Sequence, residues 1–161
     1  LQATLAECER AGEGRVVAEA VVADFILDST GLDASLSLDA QFDLVIENPP
    51  YGKLAASSTH RTAMRAAGVD TPNLYAAFLA LSVAALRPGG QVVAITPRSF
   101  FNGPYFGGFR SHLLDSIALD RVHVFDSRST VFADTGVLQE NVIFSGTRGA
   151  SADVVELSVS R

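Results

Sequence analysis

Apolar and polar positions recur along this chain with two periods, about 3.6 residues for a helix and two for a strand. Leu1 to Ala11 follows the helical spacing. Val16 to Phe25 carries an apolar, β-branched run, and Gln41 to Ile46 a second one that stops abruptly at Asn48-Pro49-Pro50, which predicts two strands. Leu74, Tyr75, Phe78, Leu79, Leu81 and Leu86 return to helical spacing behind Thr71-Pro72, predicting a long helix with Thr71 as N-cap and Pro72 in its first position. Arg87-Pro88-Gly89-Gly90 should end it in a tight turn. Gln91 to Thr96 is then a third predicted strand, Phe109 to Leu119 a helix and Arg121 to Phe125 a fourth strand.

Helices alternating with strands predict an α/β domain with a mostly parallel sheet. Asn141 to Ser145 and Ala152 to Ser160 are β-rich runs joined by a short glycine-containing connection, which predicts an antiparallel edge at the C-terminal end. No repeat, low-complexity stretch or linker divides the sequence, so residues 1–161 read as a single domain.

Composition narrows the class. With 161 residues, 48% of them hydrophobic and 19% charged, the chain can bury the core of one globular domain. No run approaches the roughly 20 apolar residues of a membrane span. The first residue is Leu1, inside a helix already under way, so the sequence reads as part of something longer, truncated at its N-terminus. One cysteine, Cys8, allows no internal disulfide, no Cys/His cluster has the spacing of a zinc site, and a reducing cytoplasm fits. His60, His112 and His123 are far apart with no nucleophile or acid motif beside them, and read as structural or surface residues. A net charge of −6 argues against this domain gripping a polyanion by itself, because Lys and Arg supply most non-specific affinity for phosphates. Nucleic acid would have to be held mainly elsewhere.

The informative segment is Phe42-Asp43-Leu44-Val45-Ile46-Glu47-Asn48-Pro49-Pro50-Tyr51, a buried-type strand running into a loop with two prolines. In open α/β sheets ligands bind at the carboxyl ends of strands, which is where this loop falls. Proline has no N–H and a locked φ, so the loop offers backbone acceptors in fixed directions and few donors. As a unit, Asn48-Pro49-Pro50-Tyr51 after an apolar strand resembles the catalytic motif of the adenine-specific DNA methyltransferases of bacterial restriction-modification systems, class I S-adenosylmethionine-dependent enzymes. Within them the chain is most similar to the class with cofactor motifs first, catalytic motif second and target-recognition domain last. The similarity covers roughly residues 16 to 146.

That resemblance implies a Rossmann-like sheet, S-adenosylmethionine as cofactor, and methyl transfer to the N6 amino group of an adenine flipped out of double-stranded DNA. It gives Asn48 and Pro49 the role of accepting the two amino hydrogens, with Pro50 fixing the loop and Tyr51 stacking on the base. Asp24-Phe25 resembles the family's acidic contact to the cofactor's adenine amino group, with Phe25 as apolar neighbour. Phe132, in the Val131-Phe132 loop, resembles the ring that faces the catalytic tyrosine across the base. Lys53, Arg98 and Arg128 lie on loops expected near the same sheet edge, as DNA phosphate contacts. The implied partners are double-stranded DNA, held mainly by a recognition domain beyond this chain, and a restriction endonuclease domain or subunit. Neither a metal nor a membrane is implied.

The sequence departs from the pattern in two places. The glycine-rich turn after a first strand and the acidic residue after a second are missing; Gly12-Glu13-Gly14 follows a helix and reads as its stop. This chain alone is therefore expected to bind S-adenosylmethionine weakly or not at all, which micromolar binding by calorimetry would refute. Glu47 stands where small or uncharged residues are commoner, and is expected to point away from the reaction. Further readings stay open: cytosine N4 in place of adenine N6, although Asn48 favours adenine; a protein-glutamine N5 or RNA amino-methyltransferase using the same motif; and a non-catalytic truncated subunit of a restriction complex. Ser99-Phe100-Phe101 and the Val131-Phe132 loop favour the DNA enzymes.

Overall fold

The computed structural model describes residues 2–13, 15–17, 19–31, 42–125 and 140–160. One sheet is built from β1 (Phe42–Glu47), β2 (Leu86–Pro97), β3 (Ile117–Phe125), β4 (Asn141–Arg148) and β5 (Glu156–Ser160), in the order β1-β2-β4-β3-β5. β1 is parallel to β2, β4 is antiparallel to both β2 and β3, and β5 is parallel to β3. The expected α/β sheet is present, with β4 as its antiparallel member. β4 does not form a hairpin with β5: both its edges are taken, by β2 and β3, and β5 pairs at the outer edge of β3.

Helices α1 (Gln2–Ala11), α2 (Phe25–Ser29), α3 (Thr59–Ala66), α4 (Leu74–Ala85) and α5 (Gly107–Ser116), with 3-10 turns at Arg98–Phe101 and Pro104–Phe106, complete the regular structure of the described residues. α4 is apolar around most of its circumference and buries Tyr75, Ala76, Ala77, Leu79, Ala80, Leu81, Val83 and Ala85, as a helix does when it is covered on several sides. It packs on β1, β2 and α5, over a core that includes Val92, Ala94, Val142 and Phe144. Strand register puts Val45 and Glu47 beside Val92 and Ala94 on this helix-covered side. Leu44 and Ile46 point the other way and are 49% and 74% exposed.

Several boundaries differ from the sequence reading. The described residues of the run from Val16 to Phe25 form no strand: Val17 and Val22 are 92% and 100% exposed, and α2 starts at Phe25. β-branched residues favour a strand only where another strand satisfies their backbone, and none of the described strands lies beside this run. The long helix starts at Leu74, because Thr71 is buried and the Pro72 carbonyl accepts from Leu54 N–H at 2.7 Å, which ties both residues into a loop contact. Asn73 takes the N-cap position without a side-chain cap bond.

Leu86 opens β2 in place of closing the helix, and Arg87 to Gly90 loop out of register between the pairs Phe42–Leu86 and Leu44–Gln91. Gly89 has φ +78°, and a Cβ on Gly90 would lie 2.8 Å from the Phe42 carbonyl oxygen, so glycine is required at both positions. α5 ends at Ser116, and Ile117 to Leu119 join β3 because Ile117 pairs with Arg148.

Candidate active site

β1 ends at Glu47, and the next four residues run along the sheet rim with Asn48 and Pro50 exposed, Pro49 buried, and Tyr51 38% exposed. The parallel pairing of β1 with β2 brings Pro97 and Arg98 to the same rim. Antiparallel β4 brings its first residue, Asn141, there as well.

Behind Asn48 to Tyr51 the chain is clamped. Gly52 carbonyl accepts from Leu74 N–H at 2.9 Å and Leu54 N–H donates to Pro72, with a bridge between Lys53 and Asn73. The loop is thereby tied to the start of α4. The Tyr51 ring meets Tyr75 edge-on at 6.4 Å. Tyr75 is itself packed by Phe100 and Phe106 and lies 3.3 Å from Ser99 Oγ through its hydroxyl. Burial raises the Tyr51 hydroxyl above its usual range and pushes Tyr75 up to about 12, so both phenols stay protonated and neutral near pH 7.

Beside this loop is a cleft of about 260 Å³ lined by Ala23, Asp24, Phe25, Ile26, Pro50, His60, Leu74 and Phe78. The Phe25 and Phe78 rings stand 4.8 Å apart at 34°. Asp24 Oδ1 accepts from Leu27 N–H at 3.1 Å, capping α2, and Oδ2 accepts from His60 Nε2 at 2.7 Å. Partial burial alone would raise the Asp24 carboxyl; the His60 hydrogen bond, the Leu27 and Ile26 amides and the His60 charge outweigh it and hold the group below its ordinary value.

Glu47 points away from the loop, toward α4. Its Oε2 accepts from Ser82 Oγ at 2.9 Å, while its other oxygen is buried without a hydrogen-bond partner. Burial pushes the carboxyl up to about 7 against the opposing effect of the Ser82 bond. It lines a second, apolar cleft of about 440 Å³ with Phe25, Val45, Phe78 and Ser82.

Of the residues singled out from the sequence, Asn48, Pro49, Pro50 and Tyr51 share the rim, and Asp24 and Phe25 share a cleft with Pro50. Lys53 is exposed just behind them. Arg98 forms an ion pair with Glu140. Phe132 and Arg128 lie outside the described residues. Two cleft residues had no motif to mark them. Phe78 was legible only as one member of a helical stripe, and His60 meets Asp24 across 36 positions of sequence. Among the described residues no group of three His, Cys, Asp or Glu side chains could hold a metal, and no helix is long and apolar enough to cross a membrane.

Known proteins resemble this chain in sequence and in fold. The chain is 46% identical over 136 residues to the Type II methyltransferase M.BsuBI of Bacillus subtilis, covering 84% of this chain and 26% of that protein. To the Type II methyltransferase M.PstI of Providencia stuartii it is 43% identical over 129 residues, 80% of this chain and 25% of the relative. It thus spans about a quarter of the length of these relatives. In three dimensions it resembles a chain from a type I restriction-modification system with a TM-score of 0.70 at 15% identity, over 90% of this chain and 28% of the other. The fold is that of class I S-adenosylmethionine-dependent methyltransferases. A model of the Eco57I restriction-modification methylases matches residues 18–132, which include the capped Asp24, the rim loop and the clamp behind it. The chain belongs to the Eco57I restriction-modification methylase family.

Proposed function

We propose that the protein containing this chain transfers a methyl group from S-adenosylmethionine to the N6 amino group of adenine in double-stranded DNA. The observation that carries the reading is the acceptor-rich rim, Asn48 to Tyr51, lying open beside a cleft with a fixed carboxylate and two aromatic rings.

The cleft residues fit one part of the cofactor. Asp24 offers an acceptor to an exocyclic amine, while Phe25, Phe78 and Pro50 offer flat apolar contact to its ring. When bound, S-adenosylmethionine supplies an electrophilic methyl group on a sulfonium sulfur.

The chain's own residues then have three tasks. The lone pair of an adenine amine is delocalised into its ring, which leaves the nitrogen flat and weakly nucleophilic. Asn48 side-chain oxygen and the Pro49 carbonyl each accept one amino hydrogen, drawing the nitrogen toward tetrahedral geometry and freeing its lone pair. Tyr51, braced edge-on by Tyr75, gives the flipped base an aromatic surface that offsets part of its lost stacking. No carboxylate base is required, since the nitrogen attacks first and loses its proton afterwards. Glu47 faces α4 and takes no part.

DNA is held mainly by a recognition domain outside this chain, with Lys53, Arg98 and Arg128 touching phosphates at the rim and Phe132 facing Tyr51 across the base. A restriction endonuclease domain or subunit is the further partner. Tritiated methyl transfer by the full-length protein to DNA, RNA and release factor tests the reading: label on N6 of adenine in DNA is expected. Label on release-factor glutamine or on RNA would replace the substrate, and no label on any of the three would favour a non-catalytic subunit.

A further inference from the structure

We propose that His60 is a positioning residue for the cofactor cleft: its ring N–H holds the Asp24 carboxylate in the orientation that receives an exocyclic amine. The inference rests on the cofactor reading above and deepens it.

The lining of the cleft comes from distant parts of the chain, residues 23–26 together with Pro50, His60, Leu74 and Phe78. The 2.7 Å contact between Asp24 Oδ2 and His60 Nε2 is a side-chain hydrogen bond that joins them. A carboxylate only accepts, so Nε2 carries the proton. The donor side is firmly held. His60 lies in the first turn of α3, whose start is capped by Ser58 Oγ accepting from Arg61 N–H at 3.1 Å. α3 is tied down further by Arg61 and Arg65, which both pair with Asp70.

The acceptor side needs that support, because α2 is only five residues long, and its described side-chain cap is Asp24 itself. A carboxylate has about four lone-pair sites. Leu27 N–H and His60 take two of them and the Ile26 amide bears on a third, which leaves one for an incoming amine at a side chain that is 44% exposed. With His60 35% exposed as well, the pair is screened by water and adds little to global stability, so its effect is on orientation.

The test uses the full-length protein and S-adenosylmethionine, comparing His60→Leu with His60→Gln, which are similar in bulk and differ in having a donor. His60→Leu should raise the Kd for S-adenosylmethionine roughly fivefold to tenfold while leaving kcat at saturating cofactor and KM for DNA unchanged. His60→Gln should restore most of the affinity. Hydrogen exchange at the Leu27 amide should speed up in the Leu variant and recover in the Gln variant, with or without cofactor. Equal affinity of the two variants and the wild type overturns the assignment. So does tighter binding by His60→Leu, which would mean that the imidazole fills the amine's place. A wild-type protein that does not bind S-adenosylmethionine overturns the cofactor reading and this inference together; normal wild-type binding with no difference between variants overturns only this one.

Discussion

At the residue scale, the proposed chemistry lies beyond the end of β1 and a stability-setting group on its inward face. Asn48 and Tyr51 are solvent-facing beyond its end, and Asn48→Ala should lower kcat by on the order of 100-fold to 1,000-fold, as removing one transition-state hydrogen bond does elsewhere. Tyr51→Ala should weaken productive DNA binding by roughly 10-fold to 100-fold while Tyr51→Phe keeps most of it, because in the proposed role the ring and not the hydroxyl stacks. Steady-state methylation of an oligonucleotide duplex reads both; equal losses in the Ala and Phe variants would point to the hydroxyl.

Glu47 faces inward, and its raised pKa makes a stability prediction with a definite sign. Between the ordinary value of 4.5 and about 7 the folded protein keeps a proton that the unfolded chain releases, so stability falls as pH rises through that window and levels off above it. The decline is at most about 3 to 4 kcal/mol, at about 1.4 kcal/mol per unit of pKa. Glu47→Gln should flatten it, measured as urea midpoints at about pH 5 and pH 8; an unchanged slope would show that another group sets it. The motif residues were legible because four consecutive side chains carry the signal. Glu47's bond to Ser82 was not, since that pairing spans 35 positions.

At the element scale, the site depends on two loops holding β1 in place. The clamp from Gly52 and Leu54 to Pro72 and Leu74 explains why the sequence reading of α4 began too early: Thr71 and Pro72 have the composition of a helix start and are used to tie two loops together. The loop-out at Arg87 to Gly90 was expected as a turn and is embedded in β2. Gly90→Ala should destabilise the protein by about 2 kcal/mol or more, because the new Cβ would press on the Phe42 and Arg87 carbonyl oxygens at 2.8 and 2.9 Å. Thermal unfolding measures it, and a shift within error of zero would mean that β1 moves freely there. The Val16 to Phe25 run shows the opposite failure, with strand composition and no strand beside it.

At the scale of the whole molecule, the charge of −6 bears on how the proposed DNA partner would be approached. Lys53 is exposed at the rim and Arg98 is paired with Glu140, so any phosphate binding by Arg98 competes with an existing ion pair. Substituting Lys53, Arg98 and Arg128 together by Ala in the full-length protein should reduce the salt slope of log Kd for duplex DNA by up to about three, near 0.9 for each phosphate that is no longer neutralised. Fluorescence anisotropy over a salt series measures this, and an unchanged slope would remove all three from the interface. One face of the sheet is covered by α4 and α5, while Leu44 and Ile46 on the other are open among the described residues.

By itself, the sequence determined the local features that short segments can encode: an apolar strand, a proline-locked acceptor loop, a helix too apolar to be exposed, and an α/β alternation. It carried the family through one contiguous motif. Only the tertiary structure decided which strands pair, that β4 lies inside the sheet with β5 at its edge, and that Asp24, Phe25, Pro50, His60 and Phe78 line one cleft. The physical reason is distance along the chain. Propensity and turn chemistry act over a few residues, whereas a strand's partner and a carboxylate's donor are chosen by what the folded chain brings within about 3 Å.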